Sequence, residues 1–155
     1  DVAENSILGR QWEPEFLLPL DRLNWKRVIE VARRLVKSFN VITPSVKTSV
    51  KSLSGGNQQR LVVGRELTKN PILVVAAHPT RGLDIASTLY IRELLMNMRN
   101  EGKGVLLVSA DLDEITQLSD RIAVIYEGKF LDVEKAEKFS RKEIGMMMGG
   151  IGSKQ

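Results

Sequence analysis

An α/β fold joined to a helical N-terminal portion is the class this sequence predicts, from three observations. Two apolar runs, 72–77 and 104–109, flank a stretch of helical length, the strand–helix–strand order of a layered α/β core. Upstream, Val28, Val31, Ala32, Leu35, Val36 and Phe39 recur at helical spacing with Lys and Arg between them. The first 65 residues otherwise carry helical signals only, which places a helical segment at 1–68 and the α/β part at 69–155.

In chain order, residues 1–9 open with a short helix, and Pro14 and Pro19 mark an irregular stretch. The helix over 23–39 follows, then a loop around Pro44 and the polar residues up to Ser52. A second helix after Gly56 carries Leu61, Val62 and Leu67 on one side, and Asn70-Pro71 stops it. The strand 72–77 is continuously apolar, as expected of a strand buried on both faces, and 104–109 reads the same way. Between them a helix over 85–99 ends at Asn100 and Gly102. A short helix over 112–118 precedes two strands, 121–126 and 129–133, joined by Glu127-Gly128, a hairpin signal. Ser140 is placed to cap a last helix before a Gly- and Met-rich tail.

Composition narrows the function classes. Lys plus Arg number 23 and Asp plus Glu 19, a net charge of +4, and the basic residues are dispersed among acids rather than gathered into a nucleic-acid stripe. With no Cys there is neither a disulfide framework nor a thiolate metal site. No apolar run approaches the ~18 residues of a bilayer span, and no signal-peptide pattern occurs.

The densest chemical signal is Leu53-Ser54-Gly55-Gly56-Asn57-Gln58-Gln59-Arg60. Ser54 can cap a helix with its hydroxyl, and Gly55 and Gly56 remove the Cβ atoms that would hold an anion away from the backbone. The amides of the first turn and the positive end of the helix dipole then face that anion. A plain capped turn is the competing reading. After it come the strand 72–77 and His78-Pro79-Thr80-Arg81-Gly82-Leu83-Asp84, and fixed order and spacing multiply the specificity of short motifs.

In that order the segments resemble the nucleotide-binding domain of an ATP-binding cassette (ABC) transporter, with an LSGGQ-type signature, a Walker B strand and a D-loop. The resemblance covers essentially the whole chain but only the C-terminal two-thirds of one cassette, and it implies a P-loop NTPase-like fold with a helical subdomain. No Gly-x-x-x-x-Gly-Lys-Ser/Thr occurs in the 155 residues, so the P-loop strand is not among them and the chain reads as a fragment. Asn57-Gln58-Gln59, Thr80-Arg81-Gly82-Leu83-Asp84 and the stretch 145–150 resemble the second cassette of fused two-cassette ATPases that serve simple-sugar and nucleoside importers.

In such cassettes the signature of one domain meets ATP on the P-loop of another. By resemblance Ser54, Gly55, Gly56 and Gln58 would contact ATP, with its Mg2+, on a partner cassette. Asp84 would be the D-loop Asp, or the cap of the helix that follows, and both roles can hold together. The Walker B strand should end in Asp-Glu, but Ala77 and His78 stand there, and Ala110 stands where many cassettes place a switch His. His78 is read as a degenerate replacement, with a proton-accepting imidazole as the alternative. No catalytic residue and no metal ligand is assigned to this chain.

The implied partners are the first cassette, in the same or a second ATPase chain, and membrane-spanning permease subunits, with no nucleic acid. The implied place is peripheral, at the cytoplasmic face of the cell membrane. The isolated chain is expected to be inactive and to self-associate, because its two central strands lack their P-loop neighbour. The run Phe16-Leu17-Leu18-Pro19-Leu20 is either subdomain core or a face for a permease helix. A soluble non-transport ABC protein would favour long charged linkers or coiled-coil heptads, and a non-enzymatic interaction module would favour clustered charge. Neither pattern occurs here.

Overall fold

The computed structural model describes residues 1–151; residues 152–155, the end of the 69–155 segment, lie outside the described residues. The chain forms two compact units, one of residues 1–72 with 80–91, the other of 73–79 with the residues from 92 onward.

In the first unit, α1 (Val2–Ser6) starts from Asp1 in a capping box, in which the Asp1 carboxylate accepts the Glu4 N–H at 2.9 Å and the Glu4 carboxylate returns to the Asp1 nitrogen. Val2 N–H and Ala3 N–H donate to Thr48 O (3.0 Å) and Val46 O (2.8 Å), which pins this end to the loop before the signature. A 3-10 turn (Pro14–Phe16) leads into β1 (Leu17–Leu18) and β2 (Arg22–Leu23), an antiparallel ladder of two residues a side. The first 65 residues are therefore not all helical. Two successive left-handed residues, Leu20 (φ 65°) and Asp21 (φ 53°), turn the chain back on itself after Pro19, a reversal that a helix-period reading passes over.

Asn24 caps α2 (Trp25–Ser38), its Oδ1 accepting the Arg27 N–H at 3.2 Å. Val28, Ala32 and Leu35 on this helix are buried at i, i+4 and i+7, as the periodicity predicts. They join Val2, Ala3, Ile7, Phe16, Val41, Val46, Leu53 and Leu61 in one core. The α3 helix (Gly55–Leu67) buries Leu61, whereas Val62 is 40% exposed, against the expectation that they share a side. Successive helical residues stand about 100° apart, so one of them must turn outward. Gly64 lets α3 pack against the end of α2, since a Cβ there would lie 2.8 Å from the Phe39 ring.

In the second unit, β3 (Leu73–Ala77) and β4 (Gly104–Val108) pair in parallel from Leu73↔Gly104 to Ala77↔Val108. The connecting helix α4 (Ile85–Asn100) contributes its residues up to Ile91 to the first unit and the rest to the second, and after β4 comes α5 (Leu112–Leu118). The hairpin of β5 (Arg121–Tyr126) and β6 (Lys129–Lys135) turns through Glu127 (φ 45°) and Gly128 (φ 77°), the two left-handed residues of a type I′ turn, and β6 runs two residues beyond its expected end. Ser140 and Glu143 form the capping box of α6 (Arg141–Met148), which covers Ile122 and Val124 with Ile144 and Met147.

One expectation about the strands fails. Leu73, Val75, Leu106 and Val108 are 55, 61, 53 and 47% exposed, so this face of β3 and β4 is not buried. Among the described residues the two strands pair only with each other, and a parallel sheet becomes buried only when helices and further strands cover it. An apolar face beside unpaired edges is a template for association. Light scattering on concentrated protein is expected to find species heavier than the monomer, with slowed amide exchange in β3 and β4 on concentration. A strict monomer with both strands already fully protected would contradict this.

Candidate functional site

The signature segment is seated by Leu53, whose side chain is buried, and opens at Ser54, the cap of α3. Ser54 Oγ accepts from Asn57 N at 3.4 Å and from Asn57 Nδ2 at 2.9 Å, while Asn57 Oδ1 accepts the Ile42 N–H at 2.7 Å. The capping side chain is thus held by a neighbour that is itself tied to the preceding loop. Gln58 N–H donates to Ser54 O at 2.9 Å, and its Nε2 donates to Leu53 O at 2.9 Å, so this side chain folds back over the loop that precedes α3.

Gly55 and Gly56 occupy the first turn, whose amides have no earlier helical carbonyl to meet. Their surroundings differ. A Cβ at Gly55 would find nothing within 4 Å, whereas a Cβ at Gly56 would lie 2.3 Å from Ser87 Oγ, 3.0 Å from Ser87 Cβ and 3.2 Å from Asp84 Oδ2. Backbone open at Gly55, amides without helical partners and the positive end of a 13-residue helix fit the outer oxygens of a phosphate chain.

Asp84 caps α4, as the sequence allowed. Its Oδ1 accepts the Ser87 N–H at 2.8 Å, its Oδ2 accepts the Ser87 hydroxyl at 2.9 Å, and its carbonyl accepts the Thr88 N–H at 2.9 Å. The Ser87 amide and hydroxyl hold this carboxyl below the usual Asp range. The Arg60 guanidinium lies 4.0 Å from the centroid of the Tyr90 ring. Neither this stacking nor the Gly56–Ser87 approach was anticipated, because no short motif encodes a contact between α3 and the start of α4.

In the second unit, Ala77 ends β3 opposite Val108, and His78 follows in a left-handed conformation (φ 47°), its N–H on Val108 O at 2.8 Å. Both are exposed at the carboxyl end of the parallel strands, where open α/β sheets bind ligands. Ala110, also exposed, follows Ser109, whose Oγ accepts the Asp111 N–H at 3.0 Å. The nearby carboxylates are structurally engaged. Asp111 caps α5 through Asp113 N (2.9 Å) and Glu114 N (3.2 Å) and pairs with Arg92 Nη2 at 3.2 Å, and the fully buried Glu114 lies 3.8 Å from Arg92 Nε. The structure thus brings Ala77, His78 and Ala110 to one strand end, and Ser54, Gly55, Gly56 and Asp84 to the first unit.

No family model matches the chain. It is 38% identical to the guanosine import ATP-binding protein NupO of Bacillus subtilis over 99% of its length and 30% of that protein. It is 40% identical to the nucleoside import ATP-binding protein NupA of Lactococcus lactis over 96% of its length and 29% of that protein. The chain therefore spans about 30% of the length of the curated relatives it matches. Its fold is similar to the ATP-binding cassette MJ0796, solved as a dimer in a post-hydrolysis state with ADP and Pi, at 27% identity and a TM-score of 0.63, over 79% of this chain and 52% of that one. Glucose and galactose import ATP-binding proteins are further relatives, 44% and 35% identical. The α/β core with its helical segment is thus part of a cassette, and the chain belongs to the ABC family, with relatives among the ATP-binding proteins of nucleoside and sugar import.

Proposed function

We propose that this chain is part of the second cassette of a two-cassette importer ATPase of the nucleoside or simple-sugar class, and that it lends its signature in trans to ATP and Mg2+ held by the first cassette. The observation that carries the reading is the pairing of Ser54-capped α3 with open backbone at Gly55, since a cradle for one end of a phosphate chain has to be completed from another domain. ATP supplies the phosphoanhydride whose cleavage drives import. Ser54 and the amides of Gly55 and Gly56 place donors against outer phosphate oxygens, and Gln58 steadies the loop through Leu53 O. Asp84 presents a charged carboxylate beside the same turn.

The strand end of this chain is the silent half. Ala77 offers no oxygen to a metal shell, His78 no carboxylate and Ala110 no imidazole, so orienting water there has no evident agent. Asymmetry of this kind is workable if one hydrolysis event opens the paired cassettes. The partners are then the first cassette and the permease, and the place is the cytoplasmic face of the membrane.

An ATP analogue with a photoreactive γ-phosphate tests the trans role. Labelling is expected at 54–58 in the complete ATPase and absent from the 155-residue chain alone, which is also expected to bind MgATP weakly and not to hydrolyse it. Labelling of the isolated chain, or turnover by it that survives removal of contaminating ATPases, would overturn the reading.

A further inference from the structure

The two signature glycines stand in different surroundings although both lie in the first turn of α3. Neither has the positive φ that only glycine adopts readily, so backbone conformation explains neither of them. At Gly55 there is free space. At Gly56 the space is taken: Ser87 Oγ sits 2.3 Å from where a Cβ would stand, closer than any real contact allows. The obstacle is not a loose side chain tip. Ser87 is 6% exposed, its hydroxyl donates to Asp84 Oδ2 at 2.9 Å and its own N–H to Asp84 Oδ1 at 2.8 Å.

We propose that Ser87 is a positioning residue for the signature turn: locked by Asp84, it seats against the bare Cα of Gly56 and fixes the direction of the first-turn amides, so that the missing Cβ of Gly56 serves helix contact and that of Gly55 leaves free space beside the backbone. The functional side of this inference rests on the phosphate-cradle reading above, while the packing side stands independently of it. Asp84 then acts twice, as the cap of α4 and as the clamp that holds the Ser87 hydroxyl against Gly56.

A substitution cycle on the 155-residue chain, followed by amide exchange at Asn57 and Gln58, tests the packing. Gly55→Ala is expected to leave exchange unchanged. Gly56→Ala is expected to speed it at least about fivefold, and Ser87→Gly added to Gly56→Ala to restore most of the protection, because groups in contact couple non-additively. If Gly56→Ala fails to fold, thermal unfolding of the Gly56→Ala/Ser87→Gly protein decides the same question, a recovered transition supporting the proposal. Equal effects of the two glycine changes, or no recovery in the double variant, would overturn it. In the complete ATPase, Ser87→Ala is expected to raise KM for ATP about tenfold with kcat retained within about twofold, since the donors remain but their aim is lost; unchanged KM, or a fall in kcat alone, would overturn the positioning role. The exchange cycle contains no nucleotide, so its failure refutes the packing, whereas loss of trans labelling with the cycle intact refutes only the phosphate reading.

Discussion

On the trans-signature reading proposed above, Gly55→Asp in the complete two-cassette ATPase, assembled with a permease, is expected to lower substrate-stimulated ATP hydrolysis by about 10²–10³-fold, comparable to the loss of one preorganised donor to a developing negative charge, about 3 kcal/mol. The fold tolerates the change. A Cβ at this position meets nothing within 4 Å, and an acidic residue in the first turn complements the helix dipole by about 0.3–1 kcal/mol. The same carboxylate that favours α3 in isolation repels a phosphate at its end, so stability and activity move in opposite directions. Thermal unfolding of the isolated chain, unchanged or slightly raised, alongside lost hydrolysis in the assembly, separates repulsion from misfolding. His78→Ala is the contrasting variant and is expected to leave hydrolysis within about twofold, because an exposed side chain with no orienting partner among the described residues is a poor candidate base. If His78→Ala abolished hydrolysis and Gly55→Asp spared it, the active and silent sites would be exchanged and the imidazole would have to be the base.

What was legible depended on whether a residue's role is set by its neighbours along the chain. The buried face of α2 follows from the spacing of Val28, Ala32 and Leu35, the hairpin from Glu127-Gly128, and the cap at Asp84 from an acid standing directly before a helical run. Each is a local rule acting within one element. The exposure of Val75 and Leu106 was not legible from the strands themselves, because apolar character records the environment of a complete sheet and not the number of strands present. The split between Gly55 and Gly56 was equally hidden: adjacent identical residues differ only in what α4 brings against them. The ladder at Leu17–Leu23 was masked by Pro14 and Pro19, which announce irregular chain without saying that Leu20 and Asp21 turn it back on itself.

The run 16–20 divides at that ladder, and the division carries the second large effect. Phe16 is fully buried among the core side chains of the first unit, its N–H on Glu13 O at 2.9 Å, its carbonyl accepting the Asn24 N–H at 2.8 Å and the Arg10 guanidinium 5.4 Å from its ring centroid. Phe16→Ala removes a ring held on all sides and is expected to cost about 3–5 kcal/mol, lost transfer energy plus the cavity left behind. Against a typical stability of about 5–15 kcal/mol, that loss brings the first unit close to unfolding. Leu20, 92% exposed, contributes nothing to that core, so Leu20→Ala is expected to shift stability by no more than about 0.5 kcal/mol. Leu20→Gly is expected to stabilise by up to about 1 kcal/mol, because φ 65° strains a residue that carries a Cβ. Urea unfolding of the three variants, followed by far-UV circular dichroism, measures the order directly. A Leu20→Ala loss as large as that of Phe16→Ala would mean the exposed end of the run is held by contacts absent from this fold, and the apolar tip would then have to be read as a docking face and not as the outer turn of a packed segment.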